Sequence, residues 1–214
     1  MWPPTSGLHA KVDTCSPEDV DTLLKPLASG SNVISAWIEC DNPVEDAVVE
    51  RLVDAISKTK SLRKLHLLLD LSETSIVNVL RSLEQNRSVH RLEISKTTFR
   101  RRSVRALARL VAVNRTLNSL SLCLEQGTDS FTQHLAICGE LKEAVPSNRF
   151  LTDLIVELRG VNRATDFVIK EALRRNRALV NEAVNFVKGS SNRKDAVAFE
   201  ALQYSWTVQL MFPR

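Results

Sequence analysis

Residues 86–94 read NRSVHRLEI, and this stretch joins the two patterns that decide the fold. Its first two residues, Asn-Arg, occur four times with Leu or Val two residues after the pair, at 86–87, 114–115, 148–149 and 176–177. The intervals are 28 (114 − 86), 34 (148 − 114) and 28 (176 − 148) residues. A recurrence near 28 residues indicates one supersecondary unit copied along the chain, which is typical of a solenoid.

The second pattern is a short alternation of apolar and polar residues, seen here as Val89-x-x-Leu92-x-Ile94. Copies of this pattern begin at Val33, Leu62, Val89, Leu117 and Leu151. The alternation at the last two apolar positions predicts a strand with one buried face.

Between the predicted strands, apolar residues recur at spacings of three and four. This spacing is the signature of an amphipathic helix, and it predicts helices over 44–59, 75–85 and 101–113. A further helix is predicted from Ser130 to Pro146, after inserted residues that account for the 34-residue interval. Each unit therefore reads strand, loop, helix.

The Asn of each Asn-Arg pair falls just after the last helical turn. Asn is the residue besides Gly that best tolerates a left-handed backbone, so we predict that conformation at these helix ends. The following Arg would lie near the helix C-terminus, where positive charge is favoured by about 0.3–1 kcal/mol. In the first unit Thr59-Lys60 takes this place, which predicts a lost cap. Alternatively, Asn-Arg is a recognition motif in its own right, but its regular phase with the helix ends argues against that.

The motif Leu-x-x-Leu-x-Leu at a spacing near 28 residues resembles the leucine-rich repeats of the ribonuclease-inhibitor type, also found in NOD-like receptors. The resemblance covers about residues 30–180. It implies an α/β solenoid, a horseshoe segment with parallel strands on the concave face and helices on the convex face. The family places Asn or Cys three residues after the last apolar position, whereas this chain has Asp41, Asp70, Thr97, Glu125 and Arg159. We therefore expect the family's side-chain ladder to be missing or substituted.

We predict one domain, with a solenoid of about five to six repeats in residues 1–180 and a helical C-terminal cap and tail in 181–214. Within the cap, the pattern predicts helices over 181–188 and 194–204. Near the N-terminus we expect a short strand around 8–12, followed by a helix to about residue 28. No polar cap is visible there, so we hypothesise that the chain is one end of a longer repeat protein.

The sequence contains no motif that predicts catalysis. It has no glycine-rich nucleotide loop, no nucleophile elbow and no ligands at the spacing of a tetrahedral metal site. The residues nearest to a Cys–His pair are His66 and Cys123, which fall on strands two apart. We therefore expect no enzymatic activity, no cofactor and no bound metal.

The cysteines and the lengths of the apolar runs indicate the cellular compartment of the protein. Four cysteines are scattered without a Cys-x-x-Cys pair, which indicates reduced thiols. The first residues lack the basic and apolar regions of a signal peptide, and no apolar run is long enough to span a bilayer. We therefore expect a cytoplasmic protein that does not insert into a membrane.

The residues between the buried positions of each strand should face the concave surface. Trp and Arg are the residues most enriched at binding hot spots, so we predict that a partner protein binds this face. The predicted binding residues are Trp37, His66, Arg91, Glu93, Ser121 and Ile155. The alternative is that Trp37 packs beneath the N-terminal segment and that the rest is a solvated face.

A second candidate surface is basic. Arg101, Arg105 and Arg109 recur every four residues and share one helix face, which can bind phosphate or an acidic partner. Binding of an acidic ligand or nucleic acid through the helix around 100–109 is therefore our alternative function. Nucleic acid is not the partner we expect, because no aromatic residues interleave to stack bases and the net charge is only +4. A solvated outer helix face is the simpler interpretation.

Overall fold

The computed structural model describes residues 6–11, 24–27, 33–124, 130–158 and 166–202, and its centre is one parallel sheet. The six strands stand in sequence order, each hydrogen-bonded to the next. They are β1 (Ser6–Lys11), β2 (Val33–Pro43), β3 (Lys64–Asp70), β4 (Arg91–Ser95), β5 (Ser119–Leu124) and β6 (Asp153–Leu158).

Helices connect the strands and cover one face of the sheet, as parallel pairing requires. Residues 24–27 are helical and are called α1. The other helices are α2 (Asp46–Lys58), α3 (Glu73–Gln85), α4 (Arg101–Val113), α5 (Ser130–Ala144), α6 (Phe167–Val187) and α7 (Arg193–Leu202). A single 3-10 turn, Val145–Ser147, follows α5. The predicted α/β solenoid, with strands on the concave face and helices on the convex face, is confirmed.

The core lies between the sheet and the helices, and it is built from the repeated apolar positions. Leu65, Leu92 and Leu120 are fully buried and stand side by side in the sheet register. Ile76 and Leu107 contribute fully buried side chains from α3 and α4. Burying such a side chain stabilises the fold by about 1.5–3 kcal/mol, so the repetition of these positions fixes the stack.

The asparagines that follow the helices do not adopt the left-handed conformation that we predicted. Asn86, Asn114 and Asn148 have φ values of −67°, −73° and −86°, with ψ near 135°, which is extended backbone. The chain passes straight from the last helical turn into the extended segment before the next strand. The prediction was wrong because the asparagine is selected for its side chain and not for its backbone.

That side chain forms a ladder along the stack. The Asn114 amide nitrogen donates to the carbonyl oxygen of Leu83, in the last turn of the preceding helix, at 2.8 Å. Its Oδ1 accepts from the backbone N–H groups of Thr116 and Leu117, both at 2.8 Å. Asn86 and Asn148 make equivalent bonds. Each asparagine thus donates to carbonyl oxygens at the C-terminal end of the preceding helix, which lack a partner within that helix. It also accepts from backbone N–H groups in the turn of its own unit.

The first unit keeps part of this arrangement. Thr59 is buried, and its hydroxyl oxygen accepts from the backbone N–H of Leu62 at 3.4 Å, as the asparagines do from the third residue after them. We expected the cap to be lost at this position. Thr59 keeps the bond in which the side-chain oxygen accepts, but it has no amide group to donate to the preceding helix.

In the turns from strand to helix, other residues replace the Asn or Cys of typical leucine-rich repeats. Thr97, at the position where the family has Asn or Cys, donates its hydroxyl to the carbonyl oxygen of Leu69 at 2.7 Å. It therefore satisfies a backbone acceptor of the preceding unit. The corresponding residues Glu125 and Arg159 lie outside the described residues, as do most of the inserted residues around 125–133.

The C-terminal end of the stack differs from what the sequence pattern predicted. We predicted a helix over 181–188, but α6 already begins at Phe167, and Asn176 lies within it. The Asn176 amide still donates to the carbonyl oxygens of Asn148 and Leu151, at 3.0 and 2.7 Å. Its Oδ1 accepts from the Arg175 guanidinium instead of from a turn. The last Asn-Arg pair therefore keeps the ladder while its backbone remains helical.

Candidate functional site

The concave face presents three parallel rows of side chains, because alternate residues of each strand point away from the core. The strand register aligns these residues across β2 to β6. The upper row is Ser35, Lys64, Arg91, Ser119 and Asp153. The central row is Trp37, His66, Glu93, Ser121 and Ile155. The lower row is Glu39, Leu68, Ser95, Cys123 and Glu157.

The central row gathers five of the six residues that we predicted from the sequence. Arg91, the sixth, lies in the upper row next to Lys64 on one side and Ser119 on the other. Adjacent strands are about 4.8 Å apart, so the row from Trp37 to Ile155 is about 19 Å long. Both of these end residues have 37% of their surface exposed, which makes them the accessible apolar ends of a largely polar row.

Trp37 is held in place by its neighbour in the row. The Trp37 and His66 rings stack with centroids 5.1 Å apart and planes 14° apart. On the other side of His66, its Nδ1 lies 3.0 Å from Oε2 of Glu93. Nδ1 has no hydrogen-bond partner within the described part of the chain, so the two groups are close without a directed bond. The three side chains therefore form one contiguous cluster.

A charged cluster that no sequence pattern indicated lies at one end of this face and consists of Lys96, Glu39 and Asp41. Lys96 follows β4 with φ of 65°, a left-handed conformation that is uncommon outside Gly and Asn. Its Nζ reaches back across the sheet to Asp41 at 2.7 Å and Glu39 at 3.8 Å, both on β2. This bridge fixes the loop after β4 over the end of the lower row.

The arginines of α4 are divided by the fold. Arg105 and Arg109 line a groove of about 460 Å³ between α3 and α4, whereas Arg101 is exposed outside it. Arg102 belongs to the same arginine-rich helix but lies one residue off the predicted face. The sequence pattern did not indicate the charged groups that the neighbouring helix adds to this groove, which are Glu73, Arg81 and Glu84. A comparison across units would have found one, since Arg81 and Arg109 occupy equivalent positions 28 residues apart (109 − 81).

The structure does not bring His66 and Cys123 together, since His66 aligns with Ser121 and Cys123 with Leu68. On α5, Cys138 Sγ lies 3.8 Å from Nε2 of His134. Burial, aided by the negative charge of Asp166, raises the pKa of Cys138 above its ordinary value, which disfavours the thiolate that a nucleophile needs.

Among the described residues, no group of three or more His, Cys, Asp or Glu side chains is placed to hold a metal ion. In the same part of the chain, no helix has both the length and the apolar surface needed to cross a bilayer.

Comparison with known proteins supports the fold. No protein-family model matches the chain, and no curated protein matches its sequence. The structure is similar to that of the leiomodin-1 actin-binding site 2, with a TM-score of 0.64 and 14% identity over 81% of this chain and 98% of that one. The tropomodulin C-terminal domain from Caenorhabditis elegans aligns with a TM-score of 0.43 and 14% identity, over 83% of this chain and 89% of that one. The first similarity identifies the fold as leucine-rich-repeat-like.

Proposed function

We propose that this chain is a non-enzymatic scaffold that binds a partner protein through the central row of its concave face. The observation that supports the proposal best is Trp37, an aromatic side chain that is 37% exposed and stacks on His66. An ordered, accessible tryptophan loses little side-chain entropy when a partner covers it. Ile155 supplies a second apolar anchor at the far end, with polar residues between the two.

The similar structure suggests the first partner to test. The leiomodin-1 domain is named as an actin-binding site, and both domains share a leucine-rich-repeat-like fold. Fold similarity at 14% identity does not transfer a ligand, so actin enters as a candidate whose binding is measured directly.

The class and location of the protein are part of the same proposal. The strand–helix units near 28 residues support membership of the ribonuclease-inhibitor-like class of repeats. The free thiols Cys40 and Cys138 support a reducing compartment, which we take to be the cytoplasm.

The proposal is tested by measuring actin binding with the full chain. Labelled wild-type protein and the variants Trp37→Ala and Ile155→Ala are titrated with monomeric actin and co-sedimented with filaments. Arg115→Ala, an exposed change at a helix-to-strand turn, serves as the control. We expect each concave variant to weaken binding by roughly tenfold, typical of a hot-spot residue, and the control to bind as wild type.

If actin does not bind, quantitative affinity capture from lysate compares the same four proteins. Partners that are retained by the control and lost by Trp37→Ala would identify the ligand of this face. An unchanged set of partners for both concave variants, with intact folds, would refute the proposal.

A further inference from the structure

The groove between α3 and α4 differs in charge from its neighbour in the stack. Four arginines and two glutamates line it, which gives a net charge of +2. The equivalent groove between α2 and α3 is lined by Asp46, Glu50 and Arg81, which gives −1. The two grooves share the same architecture, so the positive charge is a property of the α4 sequence and not of the fold.

Three of the four guanidinium groups are available to a ligand. Within the described residues, the side chains of Arg81, Arg102 and Arg105 have no ion-pair or hydrogen-bond partner, and all three are exposed. Arg109 is the exception, because its Nε donates to Oε2 of Glu84 at 3.0 Å. Arg102 also stands in the first turn of α4, where the helix dipole disfavours positive charge. Glu73 Oε1 already accepts from the Arg102 backbone N–H at 2.9 Å, so a ligand would contact the Arg102 guanidinium and not the N-terminus of the helix.

The remaining lining argues for a peptide. Val77 and Ala106 are half-buried and form an apolar strip between the arginines. Glu84 is buried, and its Oε1 has no hydrogen-bond partner among the described residues. Oε1 is closed to any ligand, so Glu84 contributes only negative charge beside Arg109. That charge disfavours a compact phosphate at Arg109 and leaves Arg102 and Arg105 to bind the carboxylates of a peptide. The described lining also lacks the aromatic side chains on which bases stack.

We propose that the α3–α4 groove binds an acidic segment of a partner protein, with an aliphatic side chain of that segment on Val77 and Ala106 and its carboxylates on Arg102 and Arg105. This surface lies on the convex face, so it is separate from the concave row and does not depend on the function proposed above. It gives the scaffold a second, electrostatically selected contact.

The test uses a fluorescein-labelled peptide with one leucine flanked on both sides by glutamates. Fluorescence anisotropy at low salt compares the wild-type chain with two double variants that remove equal charge. Arg102→Ala with Arg105→Ala alters the groove, whereas Arg87→Ala with Arg115→Ala removes exposed arginines outside it. Alanine is favourable in helices, so the groove variant should fold normally.

We expect the groove variant to weaken binding by about tenfold and the matched control by less than about threefold. A peptide with serine in place of the leucine should bind more weakly than the leucine peptide, and Trp37→Ala should bind the leucine peptide as wild type does. Equal weakening by both double variants, or no measurable binding at low salt, would overturn the proposal. Tighter binding of single-stranded polyuridine RNA with the same dependence on the groove would overturn it in favour of nucleic acid.

Discussion

The side-chain amide of Asn114 donates to the backbone carbonyl oxygen of Asn86, one unit earlier in the stack, at 3.2 Å. Asn148 and Asn176 repeat this relationship, so four buried asparagines are joined side chain to backbone from α3 to α6. Polar groups buried in this way stabilise a protein only while every partner is present.

Replacement of Asn114 should therefore be costly. Asn114→Ala removes two donated bonds and two accepted backbone bonds. The carbonyl oxygen of Leu83 loses this donor, and that of Asn86 keeps only the Thr116 hydroxyl at 3.4 Å. Each unsatisfied buried group costs about 1–3 kcal/mol, so we expect the free energy of unfolding to fall by about 3 kcal/mol or more. Urea denaturation followed by circular dichroism measures this loss. The exposed neighbour change Arg115→Ala should stay within about 0.5 kcal/mol, and equal effects of the two changes would contradict a ladder.

The end of the ladder should show a more local effect. Asn176→Ala removes the donors to Asn148 and Leu151 and frees the Arg175 side chain, which also donates to the carbonyl oxygens of Pro146 and Asn148. We expect faster hydrogen–deuterium exchange around Asn148 to Leu151 and in α6, with the amides of β3 and β4 unchanged. Faster exchange spread evenly over the whole sheet would argue that the terminal contact has no special role.

His90 should make the fold sensitive to acid. Burial, and to a lesser extent the Arg63 charge, lowers the pKa of His90 to about 4, although the ring's Nδ1 bond to the carbonyl oxygen of Ser88 opposes this shift. Below pH 6.5 the unfolded chain binds a proton that the folded chain refuses, so stability falls as the pH drops from about 6.5 to 4. Because the ring is partly screened by solvent, we expect this term to reach on the order of 2 kcal/mol.

The variant His90→Leu isolates that term. Its free energy of unfolding, measured between pH 7 and 4.5, should fall less steeply than that of the wild type, because the carboxylates contribute equally to both proteins. Parallel pH profiles would show that His90 does not carry the effect.

The thiol of Cys138 should be slow to react. Its raised pKa means a smaller thiolate fraction at neutral pH than in an unperturbed thiol. We expect iodoacetamide at pH 7.5 to alkylate Cys138 more slowly than glutathione, as measured by site-resolved mass spectrometry. Faster alkylation that depends on His134 would indicate an activated Cys–His pair and would reopen the question of catalysis.

The strands and the helix α4 were predictable from the sequence because their signals are local. Period-two alternation around Leu92 and three-four spacing over 101–113 each describe one element in isolation, and α4 has the predicted bounds. The inward and outward positions on the strands followed from the same alternation, so the central row with Trp37 and Ile155 could be assembled before the structure was known.

The ladder and the basic groove depend on contacts between units, which local patterns do not describe. Asn114 has a backbone conformation that any residue can adopt. Its role is to donate hydrogen bonds to carbonyl oxygens 28 and 31 residues earlier in the chain. The groove likewise needs Arg81 and Glu84 from α3 beside the arginines of α4. The early start of α6 was missed because Asn176 preserves the repeat signature inside a helix.

The ladder bonds of Asn148 and Asn114 to the preceding unit are nearly the same length, 3.0 and 3.2 Å, although they bridge 34 and 28 residues of chain. Six inserted residues (34 − 28) have therefore entered one unit without altering the joint. The two ends of the strands thus differ in how well they tolerate inserted residues. Insertions are accepted where strands lead into helices, while the edge with the asparagines is kept constant. New residues for recognition can therefore be added between β5 and α5, and the asparagine ladder will keep the stack in register.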